Sequence, residues 1–96
     1  EAGASSGEYC GTLPFNNQLK KLIKSDIADV CNVSSKPYGG AITAALFLDH
    51  FINDSMKNQW VHFDIAGVGR SDADSGENPK GGTGFGVRLL AEVKRY

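Results

Sequence analysis

The stretch "WVHFDIAGVG", Trp60 to Gly69, decides how the chain is read. Side chains alternate along a strand, so Val61, Phe63 and Ile65 fall on one face and Trp60, His62, Asp64 and Ala66 on the other. The first face is wholly apolar, and its β-branched and aromatic content predicts a buried strand that ends at Gly67. The second carries an imidazole and a carboxylate at i and i+2, where the strand must turn. Such a pair reads either as two metal ligands or as polar groups that anchor the strand end by hydrogen bonding to backbone. A metal needs three or four protein groups, and no other histidine or carboxylate cluster stands ready to complete the set. Anchoring is therefore the expected role.

Working outward, "NDSMKNQ" (Asn53 to Gln59) is a polar connector, preceded by a helical run from about Ala41 to Ile52. Ala41, Ala45, Leu48 and Ile52 form one apolar stripe, widened by Ile42, Leu46 and Phe47, which predicts a helix buried on most sides. Before it, "NVSSKPYGG" (Asn32 to Gly40) collects turn formers, and "NNQLKKLIKS" places Leu19, Leu22 and Ile23 at i, i+3 and i+4, a short amphipathic helix. Lys20, Lys21 and Lys24 read as its solvated face. On the other side, "RSDADSGENPKGG" (Arg70 to Gly82) is a surface loop by composition, and "VRLLAEVKRY" is a closing helix with Lys94 and Arg95 at the negative end of its dipole. Helix, connector and strand together predict an α/β class.

With 96 residues, 41% of them hydrophobic, and a net charge of −1, the chain is expected to form one globular unit, and its charge balance does not mark it as a polyanion binder. The longest apolar stretch, Ala41 to Leu48, is far short of the roughly 20 residues that span a bilayer. The opening "EAGASSGEY" lacks the basic start and apolar core of a secretion signal. Met56 is the only methionine, so the expectation is that the chain begins at a processed or cut boundary. Cys10 and Cys31 are too few and too far apart for a zinc site or a CxxC pair, which leaves free thiols or a single disulfide.

The motifs that bear on chemistry mostly exclude it. "GGTGFG" (Gly81 to Gly86) fits neither the phosphate-loop nor the dinucleotide pattern and is expected to be a close-packing turn. "DADSGENP" resembles a calcium loop, but its glycine is one place early and the closing glutamate is absent. No serine lies in G-x-S-x-G, and neither cysteine has a defined base.

Five blocks, taken in order, resemble the C-terminal end of the leucyl aminopeptidase (cytosol aminopeptidase) family: "SGE" with "LPF" (Ser6 to Phe15), "SDIADVCNV" (Ser25 to Val33), "GGAITAALFL" (Gly39 to Leu48), "WVHFDIAG" (Trp60 to Gly67) and "GGTGFGVRLL" (Gly81 to Leu90). The resemblance implies that residues 1–96 are the C-terminal fragment of a catalytic domain, a segment of a three-layer α/β structure with helices flanking a mixed β-sheet. It further implies a parent enzyme that removes N-terminal residues from peptides with two divalent metal ions, zinc or manganese among them, whose bound water attacks the scissile carbonyl. A cytoplasmic homohexamer follows from the same resemblance, with peptide substrate and the rest of the catalytic domain as partners and with neither nucleic acid nor membrane.

The family's ligands are a lysine and several carboxylates, including those of its Asn-Thr-Asp-Ala-Glu-Gly-Arg motif. That motif is absent, so no catalytic or metal-binding role falls on any residue here, and the segment alone is expected to be inactive. What the resemblance does imply is pocket wall. Ala66 matches the alanine lining the pocket for the substrate's first side chain, Gly69 stands where some members place methionine in that pocket, and Val33 matches an apolar residue beside the position after the scissile bond. A glycine at 69 should admit bulkier first residues. Gly11 departs from the family's aromatic, and Arg70 to Pro79 has no clear counterpart. The alternative is a non-catalytic binding or assembly module built on the same fold.

Overall fold

In the computed structural model, which describes residues 1–95, the chain runs through α1 (Ala2–Ser6), a 3₁₀ helix (Asn17–Ile23), α2 (Gly40–Asp49), a 3₁₀ turn (Asp54–Met56), strands β1 (Arg70–Ser71) and β2 (Gly81–Gly82), and α3 (Val87–Val93). The class is α/β, with a small two-stranded antiparallel sheet. Instead of the single globular unit expected, there are two compact units: Leu13–His62, and Glu1–Thr12 with the chain from Phe63 onward.

Within Leu13–His62, α2 packs on the 3₁₀ helix, and the core is Leu22, Ile23, Ala45 and Leu46. Leu22 and Ile23 are two of the three apolar residues that predicted an amphipathic helix here. The helix is 3₁₀ and only seven residues long. It starts under Asn16, whose side chain accepts from the Gln18 N–H at 3.1 Å. Its last carbonyls accept bonds from loop residues rather than from a continuing helix: Cys31 N–H to Ile23 O at 2.7 Å and Ser35 N–H to Leu22 O at 2.9 Å. So short a run cannot recover the cost of α-helix nucleation alone.

Helix α2 was expected to reach Ile52 and ends at Asp49. Beyond it the bonding tightens to i→i+3, with Phe51 N–H on Leu48 O and Ile52 N–H on Asp49 O, both at 3.1 Å. Lys57 sets the stop. Its ammonium donates to the Asp49 carbonyl and lies 2.9 Å from Oδ2 of the buried Asp49 carboxylate, a cation at the negative end of the helix. Lys57→Ala should lower stability by about 1.5–3 kcal/mol, the range for hydrogen bonds to charged groups, read as a lower thermal midpoint of the complete protein.

The clearest difference from expectation is Trp60 to Ile65. No strand forms there, and Val61, Phe63 and Ile65 are 72%, 45% and 45% exposed. The alternation of side chains is that of a strand, but a strand also needs a neighbour to pair with, and none is found among the described residues.

In the other unit, α1 packs on α3, and Leu89 and Glu8 are buried. Helix α1 carries no periodic apolar signal and was not anticipated. The loop from Arg70 to Gly82 is closed at its base by the β1/β2 pairs Arg70↔Gly82 and Ser71↔Gly81. Inside it, Ser75 and Asn78 form a bridge, and Asp74 Oδ1 accepts from the Lys80 N–H at 2.8 Å. Cys10 and Cys31 are free thiols. Among the described residues no helix is long and apolar enough to cross a membrane.

Candidate functional site

The chain leaves Ile65 through a tight turn, Ala66 to Gly69. Ile65 O accepts from the N–H groups of Val68 (3.1 Å) and Gly69 (2.8 Å). Asp64 Oδ1 accepts from the Ala66 N–H at 3.0 Å, the side-chain mimic of a turn that aspartate favours. Asp64 thus anchors the end of the segment, as the sequence led us to expect. His62 does not: its buried Nε2 has no hydrogen-bond partner among the described residues. Gly69 also has a local reason to be glycine, because a Cβ there would stand 3.0 Å from the Ile65 carbonyl oxygen. The turn presents Ala66 exposed and Gly69 half-buried. With no polar side chain in Ala66 to Gly69, it can recognise a ligand only by shape and apolar contact.

On its far side the turn is held by Thr83. Thr83 N–H donates to Gly69 O at 3.1 Å, and its hydroxyl donates to Val68 O at 2.6 Å while accepting from the Phe85 N–H at 3.2 Å. The glycines around it shape the approach to α3. Gly84 and Gly86 have φ of 69° and 102°, where a side chain would be strained. The turn expected for "GGTGFG" is present, but close packing is not its reason for glycine: a Cβ at Gly81, Gly82, Gly84 or Gly86 would meet nothing within 4 Å, and positive φ at Gly81, Gly84 and Gly86 is what favours glycine there.

Helix α3 has no capping side chain of its own. Glu8, 5% exposed, supplies the acceptor: its Oε2 takes the N–H groups of Gly86 at 3.0 Å and Leu89 at 2.8 Å. Its Oε1 lies 3.5 Å from Arg88 Nε, and Arg88 also grips both oxygens of Glu77, at 3.4 Å and 3.0 Å. Burial acts to raise the Glu8 pKa, but the bonds from Leu89, Gly86 and Arg88 outweigh it and leave the carboxyl below the usual glutamate range.

Val33 sits in the other unit, in the loop that follows the 3₁₀ helix. Cys31 and Ser35 on either side of it are tied to Ile23 and Leu22 of the 3₁₀ helix, so the backbone is fixed while the Val33 side chain is 68% exposed. It borders an open concavity of about 600 Å³ together with Lys36, Pro37 and, from α2, Gly40, Thr43 and Ala44. The three residues singled out from sequence therefore fall in two places: Val33 beside this concavity, Ala66 and Gly69 on the Thr83-tethered turn. Sequence reasoning missed Glu8, Thr83 and Arg88. The available signal was a lone acid in "SGE" and a lone hydroxyl among glycines.

Among the described residues, no three of histidine, cysteine, aspartate and glutamate approach closely enough to hold a metal ion.

A model of the cytosol aminopeptidase family, catalytic domain, matches residues 1–91. A probable cytosol aminopeptidase of Wolinella succinogenes is 52% identical over 92 residues, covering 96% of this chain and 19% of that protein. One of Helicobacter hepaticus is 57% identical over 87 residues, covering 91% of this chain and 18% of that protein. Among solved structures, a mutant tomato leucine aminopeptidase superposes with a TM-score of 0.80 at 40% identity, over 99% of this chain and 18% of that one. The chain thus spans less than a fifth of the length of these relatives.

Proposed function

Because the chain belongs to the cytosol aminopeptidase family, we propose that the complete protein is a two-metal leucyl aminopeptidase that removes N-terminal residues from peptides. In this reading the segment is the C-terminal part of the catalytic domain and supplies pocket wall and core. The family match over residues 1–91 carries the proposal. Exposed Val61, Phe63 and Ile65 support it, since an unpaired apolar strand pattern suits a three-layer domain whose mixed sheet is completed by the rest of the chain.

Ala66 and Gly69 border the pocket for the first side chain, and Val33 borders that for the residue after the scissile bond. A methyl group and a hydrogen are the smallest walls available, so the first pocket accepts large or varied apolar residues. Val33, β-branched and held from behind, offers modest apolar contact. These residues bind and orient the peptide; they move no proton. Among the described residues no acidic or imidazole cluster converges, and Asp64 Oδ1 accepts from the Ala66 N–H. Zinc or manganese would be held by a lysine and carboxylates elsewhere in the complete chain, and no step of the reaction is assigned to a residue here. A cytoplasmic homohexamer belongs to the same proposal.

The complete protein, assayed on leucyl and bulkier aminoacyl amides with and without added manganese or zinc, should release the amine in a metal-dependent manner and tolerate bulky first residues. No release under either condition would favour the non-catalytic module.

A further inference from the structure

We propose that Thr83 and Asp64 are positioning residues that set the shape of the first-side-chain pocket by holding the Ala66–Gly69 turn at its two ends. This rests on the reading of Ala66 and Gly69 as pocket wall. The turn has little to hold itself. Two of its four residues are glycines, which leave the backbone freest, and Val68, its one larger apolar side chain, is 44% exposed. Its internal bonds converge on one atom, the Ile65 carbonyl oxygen, which closes the turn but does not fix it against its surroundings.

The fixing comes from outside. At the entry, Asp64 Oδ1 takes the Ala66 N–H. At the exit, Thr83 spans two consecutive carbonyls, its N–H on Gly69 O and its hydroxyl on Val68 O. The same hydroxyl accepts from the Phe85 N–H, so it is engaged as donor and acceptor at once, which a methyl group cannot reproduce. One residue beyond Phe85, the Gly86 N–H is seated on buried Glu8. The wall is therefore referenced through Thr83 to the start of α3, next to the β1/β2 pairs that hold Arg70 and Ser71 at the base of the following loop. A wall made of backbone and one methyl group selects by position alone, and a shift of a fraction of an ångström is felt as a change in which side chain fits.

The test is selectivity in the complete protein. Thr83→Val keeps the shape and removes the hydroxyl. It should change the kcat/KM ratio of leucyl to alanyl p-nitroanilide by about tenfold, mainly through KM, the scale of one methylene in an apolar pocket. Thr83→Ser should restore the wild-type ratio. Asp64→Ala, at an exposed side chain, should shift the ratio as well and decides the matter if Thr83→Val does not fold. An unchanged ratio in both Thr83→Val and Asp64→Ala overturns the proposal. So does an equal loss on both substrates, or failure of serine to restore the ratio. Wild-type protein inactive on every amide would instead overturn the aminopeptidase reading.

Discussion

Glu8→Ala should lower the melting temperature of the complete protein by on the order of 5 °C, more than any other polar substitution in its unit. Two N–H groups in the first turn of α3, those of Gly86 and Leu89, have Glu8 Oε2 as their acceptor, at 3.0 and 2.8 Å. The first turn of any helix leaves such donors open, and here no side chain of the helix itself fills them. Removing the carboxylate strands both donors and takes one of the two acidic partners of Arg88. The charge should also show in the pH dependence. The folded-state pKa of Glu8 is depressed, so its contribution is fully present above the unfolded value of about 4.3 and is lost as pH falls through the lower folded value. Glu8→Gln keeps the size and loses the charge. The gap in melting temperature between wild type and Glu8→Gln should hold from pH 7 to 5 and narrow as pH falls below about 4.3 toward the lower folded value. A gap of constant size down to pH 3 would mean that shape, not charge, makes the cap.

The elements legible in the sequence were those whose signal is local. The apolar run of α2, the cationic end after α3 and the glycine turn before it are each read from neighbours a few residues apart. Glu8 was not legible, because its partners lie 78 and 81 positions away and no periodicity links them. Helix α1, composed of small residues, carries no pattern at all. Trp60 to Ile65 failed for a different reason: alternation fixes which side chains share a face but says nothing of whether a neighbour is present to complete the ladder. The candidate site divides in the same way. Asp64 was read correctly as an anchor because its acceptor is two residues from the donor it serves. His62 was not, since its imidazole would need a partner that composition cannot supply. Ala66, Gly69 and Val33 have no chemistry of their own to announce them, and only the family resemblance brought them forward.

Leu46→Ala should cost about 3 kcal/mol, within the range of roughly 2–5 for a large buried aliphatic cut back to alanine. Leu46 is 1% exposed, the most buried of the residues in the core it shares with Leu22, Ile23 and Ala45. A core this small has few side chains with which to refill a vacated space. Alanine is the better helix former, so propensity alone would stabilise α2 slightly; a net loss of this size therefore reports packing. Leu46→Met, which conserves volume, should cost less than about 1.5 kcal/mol. The functional consequence is separable from that of the turn. Gly40, Thr43 and Ala44 of the same helix line the concavity beside Val33, and α2 keeps its place because Leu46 packs beneath it. Loss of Leu46 should reduce the folded population and with it total activity, while the leucyl-to-alanyl ratio of the molecules that remain folded stays at its wild-type value. A changed ratio at unchanged stability would place Leu46 in the selectivity machinery and break the division of labour drawn here between core and wall.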